Sequence, residues 1–167
     1  SEDDLAKMVA NVQDAVRAGA IGFSTSRSPA HLTPDDRPVA SRTADFSEVA
    51  AIVNGMGDLN AGILQLAMER GTNEELAVFY QKLMDLSKES GRPVTFGSLN
   101  RRSNPGAWKA LYEIIEQGNL DGARIFTQVH AREINVILSF QTQLPFDNWP
   151  VWSDMRKLPL EHSSYGT

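Results

Sequence analysis

Residues 72–99 read TNEELAVFYQKLMDLSKESGRPVTFGSL, and this stretch decides the fold. Thr72 and Glu75 stand at the spacing of a capping box, so a helix starts here. Leu76, Phe79, Tyr80 and Leu83 then recur at helical steps and make its apolar face. Gly91 suits the residue that closes a helix, and Arg92-Pro93 leads into a buried strand from Val94 to Leu99.

The same helix-then-strand order extends to both sides. Upstream, Leu5, Met8, Val9, Val12 and Val16 form an apolar stripe, Asp3 and Asp4 favour the helix N-terminus, and Gly19 suits its stop. A strand, Ala20 to Thr25, follows, then a long loop, Ser26 to Ser41, with prolines at 29, 34 and 38. Phe46, Val49, Ile52, Val53 and Met56 make the next helix, begun at Asp45 and closed by Gly55 and Gly57, before the strand Ala61 to Ala67. Downstream, Asn104 and Pro105 start a helix carrying Trp108, Leu111, Tyr112 and Ile115, which Gly118 ends. Ala123 to His130 is the fourth strand. Ile134, Ile137 and Leu138 suggest a last, shorter helix, and the tail 144–167, rich in Pro and Trp, has no period.

Strands recur about every 30 to 40 residues, close to the repeat of a (β/α)8 barrel. The expectation is an α/β fold of about four consecutive βα units with a parallel sheet, spanning 1–167 as one domain. Four units do not close an eight-stranded barrel. They make either a small doubly wound domain or a partial (β/α)8 TIM barrel. No GxGxxG and no GxxxxGK[ST] follows a strand, which favours the partial barrel.

Composition narrows the function. The 167 residues are 41% hydrophobic and 22% charged, as in ordinary globular domains, and no apolar run approaches a membrane span. A net charge of -5 argues against nucleic-acid and anionic-membrane partners. With no cysteine, thiolate metal sites and cysteine nucleophiles are excluded. The chain opens Ser1-Glu2-Asp3-Asp4 without a signal peptide, so the expected compartment is cytoplasmic.

In parallel α/β folds, chemistry gathers where strands end. After the first strand come Ser24, Thr25, Ser26, Arg27 and His31, able to bind a carboxylate or orient a polar substrate; equally, they are a loop whose hydroxyls cap backbone groups. Gln65 lies on the second strand, and Glu69 beyond it reads best as a surface partner of Arg70. The polar, basic stretch Ser98 to Asn104 follows the third strand and suits an anion or a helix cap. On the fourth, Gln128, His130 and Arg132 alternate, so they share a face if the strand extends that far. The histidines are His31, His130 and His162, with no HxH and no HExxH, so no metal is expected on this chain alone. No GxSxG elbow anchors a serine triad.

The run Gly19-Ala20-Ile21-Gly22-Phe23-Ser24-Thr25-Ser26-Arg27, then His31 and Asp36-Arg37-Pro38-Val39, resembles the N-acyl-D-amino-acid deacylase branch of the amidohydrolase superfamily. Gly62-Ile63-Leu64-Gln65, Gly91-Arg92-Pro93-Val94-Thr95-Phe96, Gln128-Val129 and Leu144-Pro145-Phe146 follow in the order of that branch, up to about Pro159. The resemblance implies an internal fragment, roughly strands four to seven, of a hydrolase of carbon–nitrogen (amide) bonds on a (β/α)8 barrel. Such an enzyme uses zinc or another divalent metal to polarise the carbonyl and activate water. The family's HxH and late aspartate would lie before Ser1 and after Thr167, and Ala67 and Ser98 stand near its central ligand histidines. The fragment is expected to be inactive alone. Arg27, His31, Gln65, Gln128, His130 and Arg132 would bind a small N-acyl amino acid-like substrate, and open barrel edges would favour self-association. The alternative is a metal-free barrel relative that binds an acylated, amino-acid-like ligand without turnover.

Overall fold

The computed structural model describes residues 1–67, 71–98, 106–132, 135, 137–139, 144–147 and 149–158. The chain divides into two compact units, Ser1–Val129 and His130–Thr167. In the first unit helices and strands alternate: α1 (Glu2–Arg17), β1 (Gly22–Thr25), a short α2 (Ala40–Thr43), α3 (Phe46–Asp58), β2 (Ile63–Leu66), α4 (Asn73–Ser90), β3 (Val94–Gly97), α5 (Ala107–Leu120) and β4 (Ile125–Gln128). Local chemistry sets the starts. Ser1 with Asp4, and Thr72 with Glu75, form reciprocal capping boxes on α1 and α4, and the Asp45 side chain caps α3 at the Ser47 N–H. Gly91 closes α4 in the left-handed conformation, at φ 67°.

The four strands pair in the order β1-β2-β3-β4, every neighbour parallel. Strand order in a doubly wound sheet reverses at a switch point. This one does not reverse, so right-handed crossovers place the helices on a single face. Leu64, Leu66, Val94, Phe96 and Ile125 point to that face and share one apolar cluster with Val53 and Met56 of α3, Tyr80 and Leu83 of α4, and Ile115 of α5. The Tyr80 and Phe96 rings stack at 5.0 Å. Burying each such side chain stabilises the unit by about 1.5–3 kcal/mol.

The alternate residues look the other way. Across the register lie Ser24, Gln65, Thr95 and Phe126, with Ile63 before them and Gly97 and Gln128 after. Ser24, Ile63, Phe126 and Gln128 are exposed.

Gly55, Gly57 and Gly118 do not end helices, contrary to expectation: α3 runs to Asp58 and α5 to Leu120. They are the points where helices touch. A Cβ on Gly55 would stand 2.5 Å from Val9 Cγ1 of α1, one on Gly57 2.7 Å from the Ser90 carbonyl of α4, and one on Gly118 2.0 Å from Met84 Sδ. Each helix of the layer thus meets the next through a glycine. A second departure concerns α5, which starts at Ala107 with Gly106 as N-cap. Asn104 and Pro105, expected to start it, lie outside the described residues.

The bottom of the sheet is tied by one buried hydroxyl. Ser87 Oγ donates to the Arg92 carbonyl (2.8 Å) and accepts from the Arg124 N–H (2.9 Å), joining α4 to the entries of β3 and β4. The second unit carries α6 (Pro150–Met155), a short helix within the tail expected to be irregular. Phe146 packs on Trp152, with ring centroids 4.6 Å apart, and Asp147 accepts from the Leu144 N–H at 2.7 Å. Ile137 and Leu138 are not helical, which corrects the helix expected there; Ile134 lies outside the described residues. Among the described residues, no helix is long and apolar enough to cross a membrane.

Candidate functional site

The carboxyl ends of β1 and β2 lie side by side, because Ser24 pairs in register with Gln65 and Thr25 with Leu66. Ser24 Oγ donates to Gln65 Oε1, and Gln65 Nε2 donates to the Leu66 carbonyl at 2.9 Å, so the amide is held at both ends. Beyond β1 the long loop folds back on itself. Ser41 Oγ donates to the Ser26 carbonyl (2.7 Å), and Ser26 Oγ accepts from the Ser28 N–H (3.1 Å). Leu32 and Pro38 form an antiparallel bridge around a turn with Asp36 at φ 60°. The Thr33 hydroxyl and then the Arg37 guanidinium hold the Asp35 carboxyl below its usual range. Arg42 Nη1 donates to the His31 carbonyl at 3.3 Å, pinning the backbone of that residue.

Between this loop and the strand ends is an open hollow of about 600 Å³, whose lining includes Ser24, Ser26, His31, Ser41, Glu48 and Gln65. Hydroxyls and the amide can donate and accept, Glu48 accepts, and the imidazole can do either. Met8, Phe23, Ala40 and Ala67 line it as well, so the hollow suits a small molecule with both apolar and polar parts.

The structure brings together two of the six residues singled out in the sequence, His31 and Gln65. Arg27 lies in the same loop, but its Nη1 donates to the Ala44 carbonyl at 2.9 Å, tying the loop to the entry of α3. Gln128 ends β4, paired with Gly97 and exposed, outside the hollow. The alternation expected to carry Gln128, His130 and Arg132 on one face stops there, since β4 ends at Gln128; His130 and Arg132 belong to the second unit. Glu69, Arg70 and the stretch 99–104 lie outside the described residues. Sequence reasoning missed Ser41 and Glu48. The acidic start of α3 was legible as a capping signal, but only the path of the loop turns it toward the strand ends.

At the two strand ends where the resemblance places ligand histidines, this chain has none. Ala67, after β2, offers no donor atom, and Ser98, after β3, is 5% exposed with its N–H on the Gln128 carbonyl. Among the described residues, no three His, Asp or Glu side chains gather to hold a metal ion. No family model matches the sequence, and comparisons with curated proteins and with solved structures return no significant match.

Proposed function

We propose that this chain is a sector of a (β/α)8 barrel of amidohydrolase type, and that the hollow at the ends of β1 and β2 binds a small N-acyl amino acid-like molecule. One observation carries the reading. The strand order never reverses, the helices stack along one face, and on the open face Ser24 and Gln65 stand toward the carboxyl ends of β1 and β2, after Gly22 and Ile63. Barrel enzymes keep substrate contacts at that end. In this reading Gln65, held by Ser24, pairs with the substrate amide, and His31 and Ser41 contact its polar groups.

The proposed activity of the whole barrel is hydrolysis of amide C–N bonds, in the cytoplasm. Ala67 and Ser98 supply no metal ligand at the two strand ends where the resemblance asks for one. That favours a second reading, in which the barrel holds an acylated amino acid without cleaving it.

The test is titration of N-acetyl-D-methionine into the labelled chain, followed by NMR and calorimetry, with Gln65→Ala as the variant. Saturable shifts at Ser24, His31 and Gln65, weakened about tenfold or more by the substitution, support the site. Shifts elsewhere, or an unaffected variant, refute it. An HxH motif in the parent gene upstream of Ser1 selects the hydrolase, and its absence selects the ligand-holding relative.

A further inference from the structure

We propose that the hollow selects an acyl amino acid whose side chain is an aliphatic chain ending in a cation, and that Glu48 receives the charge. The inference rests on the binding reading above and names the substrate class of that site.

The start of α3 supplies the first observation. Three helices of this unit open on a polar N-cap with an acid three positions on: Ser1 and Asp4, Asp45 and Glu48, Thr72 and Glu75. In α1 and α4 that carboxylate turns back to the backbone nitrogen of the cap, the Thr72 N–H donating to Glu75 Oε2 at 2.8 Å. Glu48 does not. Asp45 caps α3 by accepting from the Ser47 N–H at 2.8 Å, and the half-buried Glu48 side chain lines the hollow instead. Among the described residues, no hydrogen bond or ion pair engages its carboxylate. A carboxylate that has given up part of its water without a partner is complemented by a donor, and best by a cation. Arg27 and Lys82, the cations that act on neighbouring Asp45, are directed elsewhere: Arg27 Nη1 donates to the Ala44 carbonyl, and Lys82 Nζ sits over the Phe46 ring at 5.8 Å. The described lining of the hollow therefore holds a carboxylate and an imidazole, but no Lys or Arg.

The walls supply the second observation. Side chains alternate along β1, so Phe23 packs toward the core beneath the helices while Ser24 stands on the opposite side with Gln65. On the helix side Phe23 is joined by Met8 of α1, still 37% exposed, and by Glu48 of α3. The hollow is thus polar and neutral at Ser24 and Gln65, and on its other side apolar with one negative charge. A ligand whose amide pairs with Gln65 lays its side chain against Met8 and Phe23 and brings the end of that chain to Glu48. Methylenes followed by an ammonium satisfy both, as a lysine stem covers apolar surface while its head finds a polar partner. An acidic side chain is refused, because the first turn of α3 already carries Asp45 and Glu48. The ligand's own α-carboxylate belongs at the exposed His31, on the rim of the hollow.

The experiment compares N-acetyl-D-lysine with N-acetyl-D-norleucine, which has the same carbon chain without the ammonium, by calorimetry and NMR on the full chain at about 0.15 M salt. Both are expected to shift Ser24, His31 and Gln65. The lysine compound should bind about fivefold tighter or more, and it alone should shift the Glu48 carboxylate. Glu48→Gln, which keeps the shape and removes the charge, is expected to bring the two affinities level. Glu116→Gln removes the same charge from an exposed position on α5, outside the hollow, and should keep the preference, so the overall negative charge of the chain is controlled for. Equal affinities in the parent chain, a measurement that needs no variant, overturn the inference and leave the binding site standing. So does a preference that survives Glu48→Gln or is lost in Glu116→Gln. If neither compound shifts Ser24, His31 and Gln65, the binding reading falls together with the inference.

Discussion

Gly57→Ala separates two roles for a glycine near the end of α3. A glycine that merely occupies a helical position and touches nothing gains from alanine, by up to about 1 kcal/mol of helix propensity. In this structure the added Cβ stands 2.7 Å from the Ser90 carbonyl oxygen and 3.3 Å from Ser90 Cα, atoms of the α4 backbone. That backbone has little room to give. Ser90 Oγ is bonded to the Leu86 carbonyl at 2.6 Å, and Ser90 precedes the Gly91 cap that aims Arg92-Pro93 into β3. Overpacking of this kind costs about 1–3 kcal/mol. Set against the propensity gain, the net expectation is a loss of about 1 kcal/mol or more. For a unit between the usual size classes that lowers Tm by about 3–6 °C per kcal/mol. The assay is thermal and urea unfolding followed by circular dichroism, at one fixed protein concentration because association adds to apparent stability. Gly118→Ala is the internal contrast, since its Cβ meets the end of the flexible Met84 side chain, 2.0 Å from Sδ. The thioether can swing aside, so this change is expected to stay within about 1 kcal/mol of zero. A Gly57→Ala protein that melts higher than the parent would refute the seam between α3 and α4.

Three further outcomes are expected. Ser87→Ala leaves the Arg92 carbonyl and the Arg124 N–H without their shared partner at a site 1% exposed, a loss of about 1–3 kcal/mol in the urea midpoint; an unchanged midpoint would show that the hydroxyl ties nothing. Asn119→Ala removes the two bonds that its amide makes to the Ile125 N–H and carbonyl, at about 1 kcal/mol, and amide exchange at Ile125 should quicken while Leu64 stays protected. The Ser47 N–H, and after it the Ser47 hydroxyl, hold the Asp45 carboxyl below its usual 3.8. Its contribution is therefore complete above about pH 3.8 and fades as pH falls through the lowered folded value. Asp45→Asn should flatten the acid limb of a Tm-against-pH curve below pH 4, and an identical limb would count against the cap.

The helices and strands were legible because their signals are local. Thr72 and Glu75 cap α4 as their spacing promised, Gly91 closes it, and the apolar runs after each glycine become β1 to β4. The glycines inside α3 and α5 misled for a physical reason. The same missing Cβ that permits a turn also permits two helices to touch, and only the neighbour's position distinguishes the cases. Strand length misled in the same way. Ala123 to His130 reads as one strand, but β4 stops at Gln128, and with it stops the alternation that was to bring His130 and Arg132 beside Gln128. The hollow is the least legible part, since His31, Ser41 and Glu48 come to Ser24 and Gln65 through a loop whose course depends on side-chain bonds to backbone, Ser41 to Ser26 and Arg42 to His31. No period encodes those contacts. The open face was legible only as a consequence: once the strand order runs without reversal, the side away from the helices must either face water or close on more strands. Ile63 and Phe126 on that side are poor surface for water, which is the physical argument for closure.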